Sequence, residues 1–334
     1  MTNPPLRLVT KTPKKFYPIN QSALYKIGSK KRLAKILATS LERILLLSTA
    51  TDNYKIFCLP EEVCEFTKKT KKSRWVQEPK RPLRSIHERI QKLLKSIIYP
   101  DYSHAAVKGR SYRTNAETHK DATRVATFDL RKFYPSTSSS RVRDFWAEQM
   151  LCAPDVADLL AKLTCHEGCL PTGSPLSPLL SLYANRPMFD DLNELANSHN
   201  LKFTCYIDDL TFSGPIIPIG LPRLVSNIVH RSGHTLSVEK TKIFRSDQRK
   251  HVTGVVVYGN SLHVPYSRFF KARAIQNAFD LEKNSIAKLA LARKLSGLLG
   301  EAAYLDTRYA DLAKKSYVEL KRINEEIMRD KLPF

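Results

Sequence analysis

The sequence predicts an α+β fold, an antiparallel sheet flanked by helices and followed by a separate helical module, on three observations. A short strand pattern around Val125 to Asp129 ends in an acid and runs into a turn and then a helical pattern. Two alternating segments, Leu201 to Tyr206 and Leu210 to Gly214, meet at Asp208-Asp209 as a hairpin would. After Leu262 the apolar residues recur at helical spacing alone.

With 334 residues, 42% hydrophobic and 26% charged, the chain can bury a sizeable core in two or three subdomains, which excludes disorder as its main state. Lys and Arg number 55 against 32 Asp and Glu, a net charge of +23, so an acidic or nucleic-acid partner is expected. No apolar run approaches the ~20 residues of a membrane span. The start, Met1-Thr2-Asn3-Pro4-Pro5, lacks a signal sequence, and the reading is a soluble cytoplasmic protein without a membrane partner. Six cysteines are too few for a disulfide framework at this length, so reduced thiols are expected.

Taken in order, Leu33, Leu37, Leu41, Ile44 and Leu47 predict one amphipathic helix, and Ile86, Ile90, Leu93 and Ile97 another. Between them, Tyr54 to Pro79 predicts a β-rich basic flap that carries Lys68, Lys69, Lys71, Lys72 and Arg74. Such a run contacts phosphates if it borders a nucleic-acid groove and is otherwise a solvated loop. Beyond the strand ending at Asp129, the Pro135 and serine-rich turn leads to a helix through Val142, Phe145 and Trp146. The last module has Leu291, Leu295, Leu298, Ala302 and Leu305 on one helix and Leu312, Leu320, Ile323 and Ile327 on a second.

Adjacent acids at a hairpin tip repel and raise each other's pKa unless a cation compensates. If the strand ending at Asp129 lies beside the hairpin, three carboxylates converge, and hard oxygen ligands select Mg2+ over zinc. Two such ions would activate a 3′-hydroxyl and neutralise a leaving pyrophosphate. Taken alone, an Asp-Asp pair such as Asp208-Asp209 supplies plain turn residues more often than not. Cys165-His166-Glu167-Gly168-Cys169, with Cys152 upstream, matches no common zinc spacing.

In context, Phe128-Asp129-Leu130-Arg131-Lys132-Phe133-Tyr134-Pro135-Ser136, then Leu170-Pro171-Thr172-Gly173-Ser174-Pro175-Leu176-Ser177-Pro178, then Tyr206-Ile207-Asp208-Asp209 resemble the ordered motifs A, B and C of reverse transcriptases. Asn115-Ala116-Glu117-Thr118-His119 and Val252-Thr253-Gly254 are similar to the Asn-Ala-x-x-His and Val-Thr-Gly elements of the retron members. The similarity runs from about Arg74 to Gly254. It implies a right-hand polymerase fold: N-terminal helices and fingers over 1–120, a palm over 121–261 with the 170–178 loop at the fingers junction, and an RNA-binding helical thumb over 262–334.

The resemblance further implies Asp129, Asp208 and Asp209 as catalytic metal ligands for two Mg2+ ions. Nucleotide contacts fall to Arg74, Lys72, Leu130, Tyr134, Thr172, Gly173 and Lys240, with Tyr134 as steric gate against the ribose 2′-hydroxyl, or alternatively a core tyrosine. RNA contacts fall to Asn115, His119, Arg268, Lys271 and Arg273. The implied partners are deoxynucleoside triphosphates, a cognate structured noncoding RNA with its DNA product, and an associated effector protein. The implied activity is RNA-directed synthesis of a short single-stranded DNA, joined to RNA by a branch, in defence against phage. A group II intron-like enzyme is disfavoured by the absence of room for a further domain after residue 334, and an RNA-binding scaffold by the three intact acids. Thr172 departs from the motif, which usually carries Gln there, and Ile207 stands where the retron members more often have alanine.

Overall fold

In the computed structural model, which describes residues 16–68 and 70–329, the apolar stripe from Leu33 to Leu47 lies on two helices, not one. Ala38, at φ 55°, breaks the chain between α1 (Lys30–Ile36) and α2 (Leu41–Thr49). The Ser40 hydroxyl restarts it by accepting from the Arg43 amide at 3.2 Å, an N-cap that repetition of leucines cannot reveal. The stripe survives the break: Leu33, Leu37, Ile44 and Leu47 are all buried.

The basic flap consists of β1 (Tyr54–Leu59) paired antiparallel with β4 (Arg74–Pro79), capped by the short pair β2 (Glu62–Val63) and β3 (Thr70–Lys71). Lys69 of the basic run lies outside the described residues, as do 1–15 and 330–334. Helix α3 (Arg81–Leu94) follows Pro79 and starts with a proline in its first turn, where the missing N–H costs nothing. It buries Ile86 and Ile90; Ile97 lies past its end and bridges to Tyr17. A short helix, α4 (Tyr112–Thr118), precedes the central sheet.

That sheet collects β5 (Arg124–Asp129), β6 (Lys202–Tyr206), β7 (Asp209–Gly214) and β8 (Lys242–Phe244) in the order β6-β7-β5-β8, each pair antiparallel. Between β5 and β6 run α5 (Phe133–Ser136), α6 (Ser139–Asp144), α7 (Pro154–Thr164), α8 (Ser177–Ala184) and α9 (Arg186–Ser198), and α10 (Leu221–Arg231) precedes β8. Strand alternation sends Ala126, Phe128, Phe203, Leu210 and Phe212 to the helix-covered face. There Phe212 meets Phe128 edge-on with centroids 5.8 Å apart and Phe203 at 4.9 Å, and each buried ring is worth roughly 1.5–3 kcal/mol. The opposite face is lined by Thr127, Asp129, Thr204, Asp209, Thr211 and Ser213.

A second, three-stranded meander, β9 (Lys250–Val252), β10 (Val255–Tyr258) and β11 (Ser261–His263), is seated on α4. Its first turn is Thr253-Gly254, both at positive φ, as a two-residue hairpin turn of primed type requires. Ala116, Val125, Val252, Val255 and Leu305 form the small core that joins these parts. Helices α11 (Tyr266–Leu281), α12 (Ser285–Leu305) and α13 (Ala310–Arg329) complete the chain around Phe279, Leu289, Ala292 and Ile323. No helix among the described residues is long and apolar enough to cross a membrane.

Candidate active site

Register alone brings two of the three acids together. Asp129, the last residue of β5, is paired across the ladder with Asp209, the first of β7. Directly opposed residues on one face have Cβ atoms roughly 4.5–5.5 Å apart, where like charges destabilise a sheet. Asp208 sits in the two-residue turn between β6 and β7, and its carbonyl accepts from the Leu130 amide at 2.9 Å, tying the turn to the end of β5. The other turn residue, Ile207, has φ 60°, a conformation that a β-branched side chain resists. Strain of this kind costs on the order of 1–3 kcal/mol and persists where the surroundings enforce it.

The electrostatics follow from burial. The Asp209 carboxyl is pushed up to about 7 by loss of solvent, with the Asp208 and Asp129 charges adding to it. Asp208 is raised as well, again chiefly by burial. Asp129 is differently placed: Lys240 Nζ lies 2.9 and 2.8 Å from its two oxygens, and the Ser237 hydroxyl donates to Oδ1 at 2.8 Å. Among the described residues no three His, Cys, Asp or Glu side chains are arranged to hold a metal by themselves. The donor set nonetheless fits a hard divalent cation, since its atoms are all carboxylate oxygens, two of the three acids are unneutralised, and such ions commonly complete their shell with water and substrate phosphate.

Tyr134 on α5 is partly buried, and burial first, then the Asp208 charge, drives its hydroxyl pKa upward. Arg74 and Lys72 are exposed on and beside β4. Thr172 and Gly173 lie against β4: the Thr172 amide donates to Gln77 Oε1 at 3.1 Å and the Gly173 amide to Gln77 O at 3.1 Å. Lys271 is half-buried and Arg273 exposed on α11. Arg268, expected on RNA, is engaged within the protein by Glu301, which also accepts from the Tyr112 hydroxyl.

Three expectations are corrected. Asn115 and His119, expected to touch RNA, have no exposed surface. His119 bridges Ser213 Oγ at 2.6 Å and Thr204 Oγ1 at 2.7 Å, clamping β7 to β6 behind the acidic turn, and burial lowers its pKa to about 3, so it is neutral. Asn115 donates to Thr253 Oγ1 at 3.0 Å, so the Asn-Ala-x-x-His and Val-Thr-Gly segments, 138 residues apart at this contact, are two halves of one joint. Leu130, expected on the nucleotide, has a buried side chain and an amide spent on Asp208, leaving neither for a ligand. Sequence reasoning missed Ser237 and Gln77; the first was signalled only by its place three residues before Lys240, the second by nothing local.

An antiparallel sheet presenting three acids from a strand end and a hairpin turn, with helices on its other face, defines the palm of a right-hand polymerase. Residues 66–257 match the family described as reverse transcriptase (RNA-dependent DNA polymerase). The chain belongs to this family, and its curated relatives are retron-type bacterial enzymes. The retron Se72 reverse transcriptase of Salmonella heidelberg (strain 579083-10) is 36% identical over 151 residues, 44% of this chain and 39% of the relative. The retron Ec86 reverse transcriptase of Escherichia coli is 24% identical over 246 residues, 72% of this chain and 75% of the relative. For the retron Mx65 reverse transcriptase of Myxococcus xanthus the values are 31% over 206 residues, 55% and 48%. The chain thus spans from 39% to 75% of the length of these three curated relatives.

Proposed function

We propose that the chain is an RNA-directed DNA polymerase that copies part of a cognate structured noncoding RNA into short single-stranded DNA. The observation that carries this reading is the Asp129–Asp209 ladder pair with Asp208 in the adjoining turn. Asp129, Asp208 and Asp209 would hold two Mg2+ ions, which when bound lower the pKa of the primer hydroxyl and neutralise the leaving pyrophosphate. The protein's own residues do the rest. Arg74 and Lys72, exposed on the flap, meet the triphosphate. Tyr134 closes the space that a ribonucleotide 2′-hydroxyl needs. Lys240, resting on Asp129, is within the site and able to reach a departing phosphate oxygen as its side chain turns.

On the same reading the fingers, palm and thumb fall at 1–120, 121–261 and 262–334, and the α11 residues Lys271 and Arg273 meet RNA. The Glu62 carboxylate on the flap is lowered, chiefly by its hydrogen bond to Lys71 and also by the Lys271 and Lys294 charges on the C-terminal helices. Family resemblance adds a branched RNA-linked product, a role in phage defence with an effector protein, and a cytoplasmic location. Sequencing the nucleic acid that co-purifies with the protein tests this reading: the expected result is one RNA species covalently joined to a DNA complementary to part of it. Recovery of RNA alone from cells making active protein would contradict it.

A further inference from the structure

Trp75 stands 62% exposed on β4, although an indole is among the side chains that gain most from burial. The backbone beneath it is held on both sides. Trp75 pairs with Cys58 across the β1–β4 ladder, and its carbonyl accepts from the Thr172 hydroxyl at 3.0 Å. Among the described residues no other ring and no cation stacks on the indole. Strand alternation sets Ile56, Cys58 and Gln77 on its face of the flap and Arg74 and Val76 on the other. Cys58 is exposed and Ile56 is 50% exposed, so this face presents a firmly mounted indole in an open apolar patch.

The charge around the patch selects its occupant. Lys68, Lys71 and Lys72 precede Trp75 on the flap and are exposed, and the chain as a whole carries +23. A second copy of the chain would bring the same excess of positive charge to the contact, whereas a polyanion is drawn to it. Within a polyanion the indole needs a flat apolar partner. A base inside a duplex has both faces covered by its neighbours, but an unpaired base offers a face to the ring while its phosphates meet the lysines. Arg74, which meets the triphosphate, is on the opposite face of the strand, so a base stacked on Trp75 lies outside the catalytic cleft.

We propose that the Trp75 face of the flap, with Ile56 and Cys58 beside the indole, is an accessory RNA site that stacks one unpaired base outside the cleft. The inference rests on the reading of the chain as a polymerase that binds RNA. Tryptophan fluorescence tests it directly, because the chain has two tryptophans and the other, Trp146, is 0% exposed in the core. The probes are a single-stranded RNA of A and C, about 12 nucleotides long and unable to pair with itself, and a blunt-ended RNA duplex of equal length. With the full-length protein the single strand should quench the emission and the duplex should not, and Trp75→Phe, which keeps only Trp146, should show no quenching. Trp75→Ala and Trp75→Leu should weaken single-strand affinity about tenfold at fixed salt, while Trp75→Phe, which keeps a ring, should retain most of it. The salt slope should be unchanged in all three, since a stacked ring releases no counterion. Their unfolding midpoints should stay within about 2 °C of wild type, the side chain being exposed. RNA binding that leaves Trp75 unquenched overturns the proposal, as does full affinity in Trp75→Leu, which would make the contact plain apolar burial, or self-association that Trp75→Ala abolishes while RNA affinity holds, which would make the face a contact between copies. Failure of wild type to bind RNA at all in a filter assay would instead overturn the polymerase reading itself, and this proposal with it.

Discussion

Lys240 Nζ lies 2.8 Å from Asp129 Oδ2 and 2.9 Å from Oδ1, making it the internal cation of a three-acid cluster. Its pKa is raised, first by that hydrogen bond. Because the lysine side chain is 60% exposed, the pair stabilises the fold by no more than about 1 kcal/mol. Lys240→Ala should therefore lower the unfolding midpoint by only about 2–4 °C in metal-free buffer. Millimolar MgCl2 should restore the midpoint but not the rate of incorporation. Differential scanning fluorimetry with and without chelator checks the first part, and a midpoint indifferent to both mutation and metal would remove Lys240 from the cluster.

The Asp209 carboxyl sets a pH dependence whose sign is fixed. Its ordinary value is 3.8 and the fold raises it to about 7, so the folded state binds a proton that the unfolded chain has released. In metal-free buffer this contribution favours the fold at low pH and is lost as pH rises from the ordinary value to about 7. Asp209→Asn should flatten that decline. Unfolding midpoints across this range decide it, and an equal slope in both proteins would contradict the burial and repulsion argued for Asp209.

His119 tests the corrected assignment. Truncation to alanine leaves the Ser213 and Thr204 hydroxyls without their shared partner and opens a cavity, at a cost of roughly 2–4 kcal/mol. Stability should fall while RNA affinity, measured at a temperature where the variant is folded, stays near wild type. A variant with normal stability and weakened RNA binding would return His119 to the RNA surface.

The contrast between His119 and Asp129 shows what was legible in the sequence. Asp129, Asp208 and Asp209 end or join strands whose alternation is local, so period two and a turn suffice to bring them together. His119 bonds to hydroxyls 85 and 94 residues away, and Gln77 to a threonine 95 residues on; such pairs leave no periodic trace. The single helix expected over Leu33 to Leu47 failed for a related reason. Apolar spacing records which side chains are buried, and both helices keep that side inward, whereas the break depends on the φ of Ala38 and the cap at Ser40.

Tyr134 gives a selectivity prediction. Its partly buried hydroxyl feels the Asp208 charge, and Tyr134→Ala should raise ribonucleotide incorporation relative to deoxynucleotide by opening room for the 2′-hydroxyl. Competition between the two triphosphates on one template measures the ratio directly. An unchanged ratio would make Tyr134 a packing residue of α5.

The most direct test of the account is deoxynucleotide incorporation on a primed RNA template in MgCl2 by wild type and Asp208→Asn, with RNA affinity and unfolding midpoint measured on the same preparations. Wild type should extend the primer, and Asp208→Asn should fall to background while binding RNA as well and unfolding no lower, since the lost charge relieves repulsion in a buried cluster. Extension by Asp208→Asn at the wild-type rate would contradict the claim that this strand-end and hairpin-turn cluster is where DNA is made.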